Sequence, residues 1–287
     1  MSIPSDGQGD TGQYNPPKSK KRYPLSHSDT REFYRTACSF PDRETELTGR
    51  VFLDYGLRID ELCHSRSHWV NKEYNPDTET EQWRILIPKT ERCWGGTGGK
   101  AGQKNEAGAD LHNTNQPCTR CVDRNWQGKI EPLNGETGER DPEKGWLTWE
   151  QAEEFDFAAK SEKSASKVWQ LGDIEESIET ARMLKEFLEQ QPHKQWPHGQ
   201  NAVRNRVNKI CEVADLDLND RTQDRIVPHA LRHTYGCRLV EMGVSEGIGM
   251  QLMRHSNSDV FQWYSQVRGG RVQAALKEAS SESDSLL

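Results

Sequence analysis

The sequence predicts a mainly α-helical fold with a small antiparallel β-sheet, and three observations carry that reading. Apolar residues recur at helical spacing both early and late in the chain. Between those stretches lie two strand-like runs, "QWRILIPKTER" and "FDFAAKSEKSASKVWQLG". The residues separating the two runs, from "CWGGTGGKAGQ" onward, are too rich in Gly and Asn for regular structure.

Residues 1–24 are rich in Gly, Ser, Pro and Asp and end in the basic string "KSKKR", which predicts a disordered arm able to touch a phosphate backbone. The ordered domain is expected over 25–275, with an insertion at about 93–145 and a flexible tail over 276–287. Ser28 or Asp29 can cap a first helix, and "DRETELTGRVFLDYGLRIDELCHSRSHWV" reads as a second helical stretch. "IEESIETARMLKEFLEQQ" is a helix that Pro192 ends, and "GQNAVRNRVNKICEVADL" is amphipathic with Arg and Lys on its polar side, Arg204 and Lys209 among them. The last third is helical throughout: "PHALRHTYGCRLVEMG", "SEGIGMQLMRH", "SDVFQWYSQV" and a short "GRVQAALKEAS". Trp146, Trp149 and Trp169 are expected to pack the insertion onto the domain.

Composition excludes some classes. No run of apolar residues is long enough to span a bilayer, and the N-terminal stretch lacks the apolar core of a signal peptide, so an intracellular, nucleoid-associated protein with no membrane partner is expected. Seven cysteines then read as thiols or metal ligands rather than a disulfide framework. A net charge of −7 is opposite in sign to the usual footprint of a nucleic-acid binder, which leaves room only for cations clustered locally against an acidic exterior.

Such a cluster is written into the last third. In "VPHALRHTYGCRL" a helix starting behind Pro228 carries His229 and Arg232 three residues apart near its positive end, where a cationic pair is unfavourable without an anion. His255 in "LMRHSN" lies nine residues before Tyr264 in "QWYSQV". Far upstream, "DYGLRIDEL" sets Arg58 inside an apolar helical pattern, with Asp60 and Glu61 as its structural ion-pair alternatives. Two Arg, two His, a Lys and a Tyr are the inventory that phosphoryl transfer to a tyrosine needs: forks for the phosphate oxygens, an acid for the leaving oxygen and an in-line nucleophile.

These strings, "GLRIDEL", "HALRHTYG", "LMRHSN" and "WYSQV", in that order and at those intervals, resemble the tyrosine recombinase (phage integrase) family, archaeal integrase-like members included. The resemblance covers residues 26–275 and implies a tyrosine recombinase catalytic-domain-like fold; the family's separate N-terminal DNA-clamping domain is not evident. It implies that Tyr264 attacks the scissile phosphate of double-stranded DNA and forms a 3'-phosphotyrosine with release of a 5'-hydroxyl. Arg58 and Arg232 would hold the non-bridging oxygens, and His229 and His255 would assist proton transfer. A hairpin lysine would be the general acid, Lys160 being preferred over Lys89. It also implies a dimer or tetramer on paired DNA sites, with no ATP, metal or other cofactor required for catalysis. A type IB topoisomerase, or a non-cleaving DNA-binding regulator, would share the same pocket.

The insertion carries a separate expectation. Cys118 and Cys121 in "PCTRC", with Cys93 and His112, have ligand types and spacing suited to a structural zinc; Cys63 or His64 are alternatives to His112 as the fourth ligand, and ordinary thiols in a loop remain the simpler reading.

Overall fold

The computed structural model describes residues 23–76, 78–93, 121, 156–159, 165–191, 194–216, 226–255 and 258–267. Helices α1 (His27–Cys38) and α2 (Arg43–Asp54) are each started by a side-chain cap. Ser26 Oγ accepts from the Asp29 amide at 3.1 Å and Asp42 Oδ1 from the Thr45 amide at 2.8 Å, which satisfies donors that the helix itself leaves orphaned. Thr45 and every residue of α2 from Leu47 to Asp54 are buried, so most of this helix is enclosed by its neighbours. It packs against α1, α4 (Glu175–Glu189), α5 (Gln200–Val213) and α6 (Pro228–Glu241). Its two buried charged residues are both paired. Arg50 donates to Thr180 Oγ1 at 2.9 Å and pairs with Glu46 and Glu179; Asp54 accepts from Tyr34 and Thr180 at 2.8 and 2.7 Å.

The stretch expected as one helix over 42–70 is broken. Helix α2 ends at Asp54, Gly56 adopts φ +53°, and a five-residue helix α3 (Ile59–Cys63) restarts behind Arg58, whose backbone is extended. Glycine is needed at the break twice over: for the left-handed backbone, and because a Cβ there would lie 2.3 Å from the Tyr235 ring. Arg58 is therefore an N-cap residue and not, as the apolar pattern suggested, a residue of the helix interior. A 3-10 turn (Ser67–Trp69) then leads into β1 (Val70–Asn75), a strand that its polar sequence concealed.

Strand β2 (Thr80–Ile87) is the centre of a three-stranded antiparallel sheet, paired with β1 (Val70 opposite Ile85) and with β5 (Ser166–Trp169; Ile85 opposite Val168). A second ribbon pairs β3 (Thr90–Arg92) with β4 (Asp156–Ala158). Trp169 belongs to β5, under the Lys167 ammonium, while Trp146 and Trp149 lie outside the described residues. Two further helices, α7 (Glu246–Met253) and α8 (Ser258–Val267), pack on α6 and on each other. Residues 1–22 and 268–287, hence the expected N-terminal arm and C-terminal tail, also lie outside the described residues. Among the described residues no helix is long and apolar enough to cross a membrane.

Candidate active site

Helix α6 begins with Pro228 in its first turn, where the missing N–H costs nothing. It is buried along most of its length. Arg232 is 1% exposed and sends one guanidinium nitrogen to the carbonyl of Gly56 and the other to that of Met253. Arg232 thus bolts together the α2–α3 break and the end of α7.

Two more guanidiniums meet it there. Arg58 donates to Glu61 Oε1 at 2.6 Å and to the Arg254 carbonyl at 2.9 Å. Arg254, 2% exposed, donates to Glu61 Oε2 at 2.6 Å and to the Gly56 carbonyl at 3.1 Å. Glu61 also reaches back to the Arg58 amide at 2.6 Å and closes a capping box around α3. Burial pushes the Glu61 carboxyl up, but Arg254, Arg58 and Arg232 outweigh it and bring it down to about 2. Burial, and then Arg254 and Arg58, drive the Arg232 guanidinium well below its ordinary range. Among the described residues Arg58 and Arg254 pair directly with this one carboxylate and Arg232 feels its charge, so the cluster holds more positive charge than Glu61 balances. Buried excess charge of this kind is costly unless an anion enters.

The backbone at Arg254 reinforces the point. It caps α7 in the left-handed conformation, φ +53° and ψ 44°, a position that favours glycine. An arginine held there in spite of the strain directs its side chain onto Glu61 and sets His255 beside the pocket. His255 Nδ1 is buried without a hydrogen-bond partner among the described residues. Burial first, then the charges of Arg232 and Arg58, bring its imidazole down to about 2, so it is neutral at ordinary pH.

Tyr264, on α8, is fully buried. Its ring fills the space over Gly236 of α6, where a Cβ would lie 2.5 Å from Tyr264 Cε2. Its hydroxyl is 2.9 Å from His233 Nδ1, and the His255 ring lies 6.0 Å away, centroid to centroid. His233 in turn meets the His229 ring edge-on at 4.4 Å. His229 itself is exposed, so it and Arg232 do not share one environment as their spacing suggested: the arginine points into the core and the imidazole to the rim.

Arg58, Arg232, His255 and Tyr264 are thus brought together, with His229 joined through His233. Three participants escaped the sequence reading: His233, Glu61 as the shared counter-ion, and Arg254. His233 lies one helical turn after His229, a signal that was available. Of the two lysines, Lys89 stands at the ribbon. Lys89 is exposed and its carbonyl accepts from the Ala159 amide at 3.0 Å; Lys160, which follows Ala159 in the chain, lies outside the described residues.

Of the expected metal ligands, Cys93 and Cys121 are buried and face each other across His64, with Cys121 Sγ 3.3 Å from His64 Nε2. His64, held open as an alternative to His112, is therefore the imidazole of this cluster; Cys118 and His112 lie outside the described residues.

Residues 174–270, which hold α4 to α8 and all these pocket groups except Arg58 and Glu61, match the phage integrase family. No curated protein sequence matches the chain. Among solved structures it is similar to XerA recombinase, with a TM-score of 0.50 and 13% identity over 92% of this chain and 66% of that one. It is also similar to the Tn1549 transposon integrase in complex with circular intermediate DNA (TM-score 0.46, 14% identity, 85% and 62% covered) and with transposon right end DNA (0.49, 12%, 90% and 66%). The chain spans 62–66% of the length of these proteins. The fold is that of tyrosine recombinase catalytic domains, mainly helical with a small antiparallel sheet, as the sequence predicts.

Proposed function

We propose that the protein is a site-specific DNA recombinase that cuts and rejoins double-stranded DNA through a covalent bond to Tyr264. The observation that carries the proposal is a cluster of three guanidiniums, Arg58 and Arg254 paired with the one carboxylate of Glu61 and Arg232 close to both, beside the Tyr264 side chain. A phosphodiester is the anion that such a set fits: each guanidinium keeps N–H donors beyond those already used, and two can bind the non-bridging oxygens at once.

In this reading the Tyr264 oxygen attacks phosphorus and the P–O5' bond breaks. The tyrosine proton passes toward the His233 imidazole at 2.9 Å, and the leaving 5'-oxygen takes a proton from a lysine, Lys160 or Lys89. Neutral His255 is able to donate a hydrogen bond to a phosphate oxygen without adding charge. The phosphotyrosine keeps the energy of the phosphodiester, so attack by another strand's 5'-hydroxyl restores DNA and free tyrosine without ATP. The excess positive charge of the guanidiniums stabilises the transition state most, because charge there is spread over the equatorial oxygens. Work on paired sites calls for a dimer or tetramer on DNA. The solved complexes of the Tn1549 integrase with DNA support a DNA partner.

The test is a suicide-substrate assay with nicked DNA from the region flanking the coding sequence, with wild type beside Tyr264→Phe. A protein–DNA band on a denaturing gel that Tyr264→Phe abolishes is the expected result. Binding without a band at any salt concentration would sink the proposal in favour of a non-cleaving DNA binder. Strand exchange between two sites, rather than relaxation of supercoils by monomers, then separates recombinase from topoisomerase.

A further inference from the structure

We infer that His64, Cys93 and Cys121 supply three of the four ligands of a structural zinc site that ties the start of the insertion to the end of α3. The three ligand atoms lie within 4.8 Å of one another. Zinc bound tetrahedrally at about 2.3 Å from sulfur and about 2.0–2.1 Å from nitrogen separates its ligands by about 3.5–3.8 Å. The Cys121 Sγ to His64 Nε2 distance of 3.3 Å lies just below that range, so this pair needs only a small opening to close on an ion.

A second observation is independent of the spacing. His64 Nδ1 is 2.7 Å from the carbonyl oxygen of Asp60. A carbonyl can only accept, so Nδ1 carries the proton and the lone pair is left on Nε2, the atom that faces Cys121. This is the second-shell arrangement that fixes the tautomer of a metal-bound imidazole. The surroundings fit as well. Phe157 stacks on the His64 ring at 4.7 Å and on Trp69 at 5.4 Å, forming a dry wall. The Arg66 guanidinium, held by Glu91 and the Arg92 carbonyl, stands beside Cys93. Two soft sulfurs and one imidazole select zinc over magnesium or calcium.

A disulfide between Cys93 and Cys121 is the competing use of these thiols, but it would leave the orientation of His64 unexplained. What the ion would do follows from where its ligands sit. A helix of five residues has no stability of its own. His64 is its C-cap and Arg58 its N-cap, so an ion at one end immobilises the residue at the other. The inference does not rest on the proposed recombinase activity, and its test reads metal and thiols only.

Zinc is measured by mass spectrometry in the full chain purified without a metal-affinity step. One ion per chain is expected, lost in Cys93→Ser and in Cys121→Ser and kept in Cys38→Ser. Cobalt added to the metal-stripped wild type should give a thiolate-to-cobalt absorption band. If the serine variants fail to fold, the wild type alone decides: zinc added to the stripped chain should protect Cys93 and Cys121, but not Cys38, from alkylation by iodoacetamide. A wild type that holds no zinc, gives no cobalt band and shows the same alkylation with and without zinc overturns the inference, as does a mass showing the Cys93–Cys121 disulfide in the freshly purified chain.

Discussion

At the N-terminal end of α3 the side chains are long, charged and anchored on backbone carbonyls; at its C-terminal end, about 8 Å away by the helical rise, they are soft, nearly neutral and set in aromatic surroundings. The first cluster holds more positive charge than the described residues neutralise, and the second holds thiols facing an imidazole lone pair. Each is unfinished in a different sense. The first is complementary to an anion that comes and goes, the second to a cation that stays. One short helix can serve both because Glu61 and Asp60, adjacent in sequence, point opposite ways: the Glu61 carboxylate back to Arg58 and Arg254, the Asp60 carbonyl forward to His64.

The comparison can be broken most severely at Glu61. Glu61→Gln removes the one shared carboxylate and leaves three guanidiniums in mutual repulsion, so unfolding free energy from a denaturant titration should fall by about 3–5 kcal/mol. His64→Gln, in metal-free protein, should cost far less. Gly236→Ala comes next: the new Cβ would drive into the Tyr264 ring, at about 1–3 kcal/mol of overpacking, and should displace the hydroxyl from His233. Thermal unfolding reads the first effect, and loss of the covalent DNA band reads the second.

Acidification sharpens the contrast without mutation. The Glu61 carboxyl, at about 2 in the fold against an ordinary 4.5, contributes stability that is complete above pH 4.5 and is lost as pH falls toward 2. His255, at about 2 against 6.5, is protonated first in the unfolded chain, so its destabilising effect begins as pH falls below 6.5 and grows down to about 2. Both act in one direction, each with a slope of at most about 1.4 kcal/mol per pH unit. Buried Asp54, pushed up chiefly by desolvation, opposes them. His255→Gln should therefore flatten stability between pH 6.5 and 4.5 and leave the more acidic limb in place. Smallest of all, Ser26→Ala removes the α1 cap, remote from both ends of α3, and should cost about 1 kcal/mol with no change in zinc content or DNA adduct.

Much of this was legible in the sequence, and the exceptions share a cause. The late helices and their limits follow from local signals: Pro228 starts α6, and the apolar spacing of "SDVFQWYSQV" makes α8. Arg58, Arg232, His255 and Tyr264 could be picked out because each is an unusual residue in its local pattern. Arg254 could not, since its meaning lies in a bond to Glu61, 193 positions away, and nothing in "LMRHSN" shows a guanidinium turning back. Strand β1 was hidden because "VNKEYN" buries only its ends. The helix break was readable in principle: Gly56 after an apolar run is a C-terminal signal that the regular spacing on either side obscured. The imidazole of the thiol cluster was left open because sequence separation does not decide it: His64 lies 57 positions from Cys121, and only the fold brings the two together.

The register of the β3–β4 ribbon has a consequence for how such a chain can change. Arg92 is paired with Asp156, so the chain leaves the domain and re-enters it at adjacent points, whatever happens over 93–155. Closing a loop of any length between two fixed neighbours costs free energy only as the logarithm of that length, about 0.6 kcal/mol for each doubling. The ribbon is therefore a socket into which segments of different length and chemistry can be exchanged, while the helices around Tyr264 keep their positions.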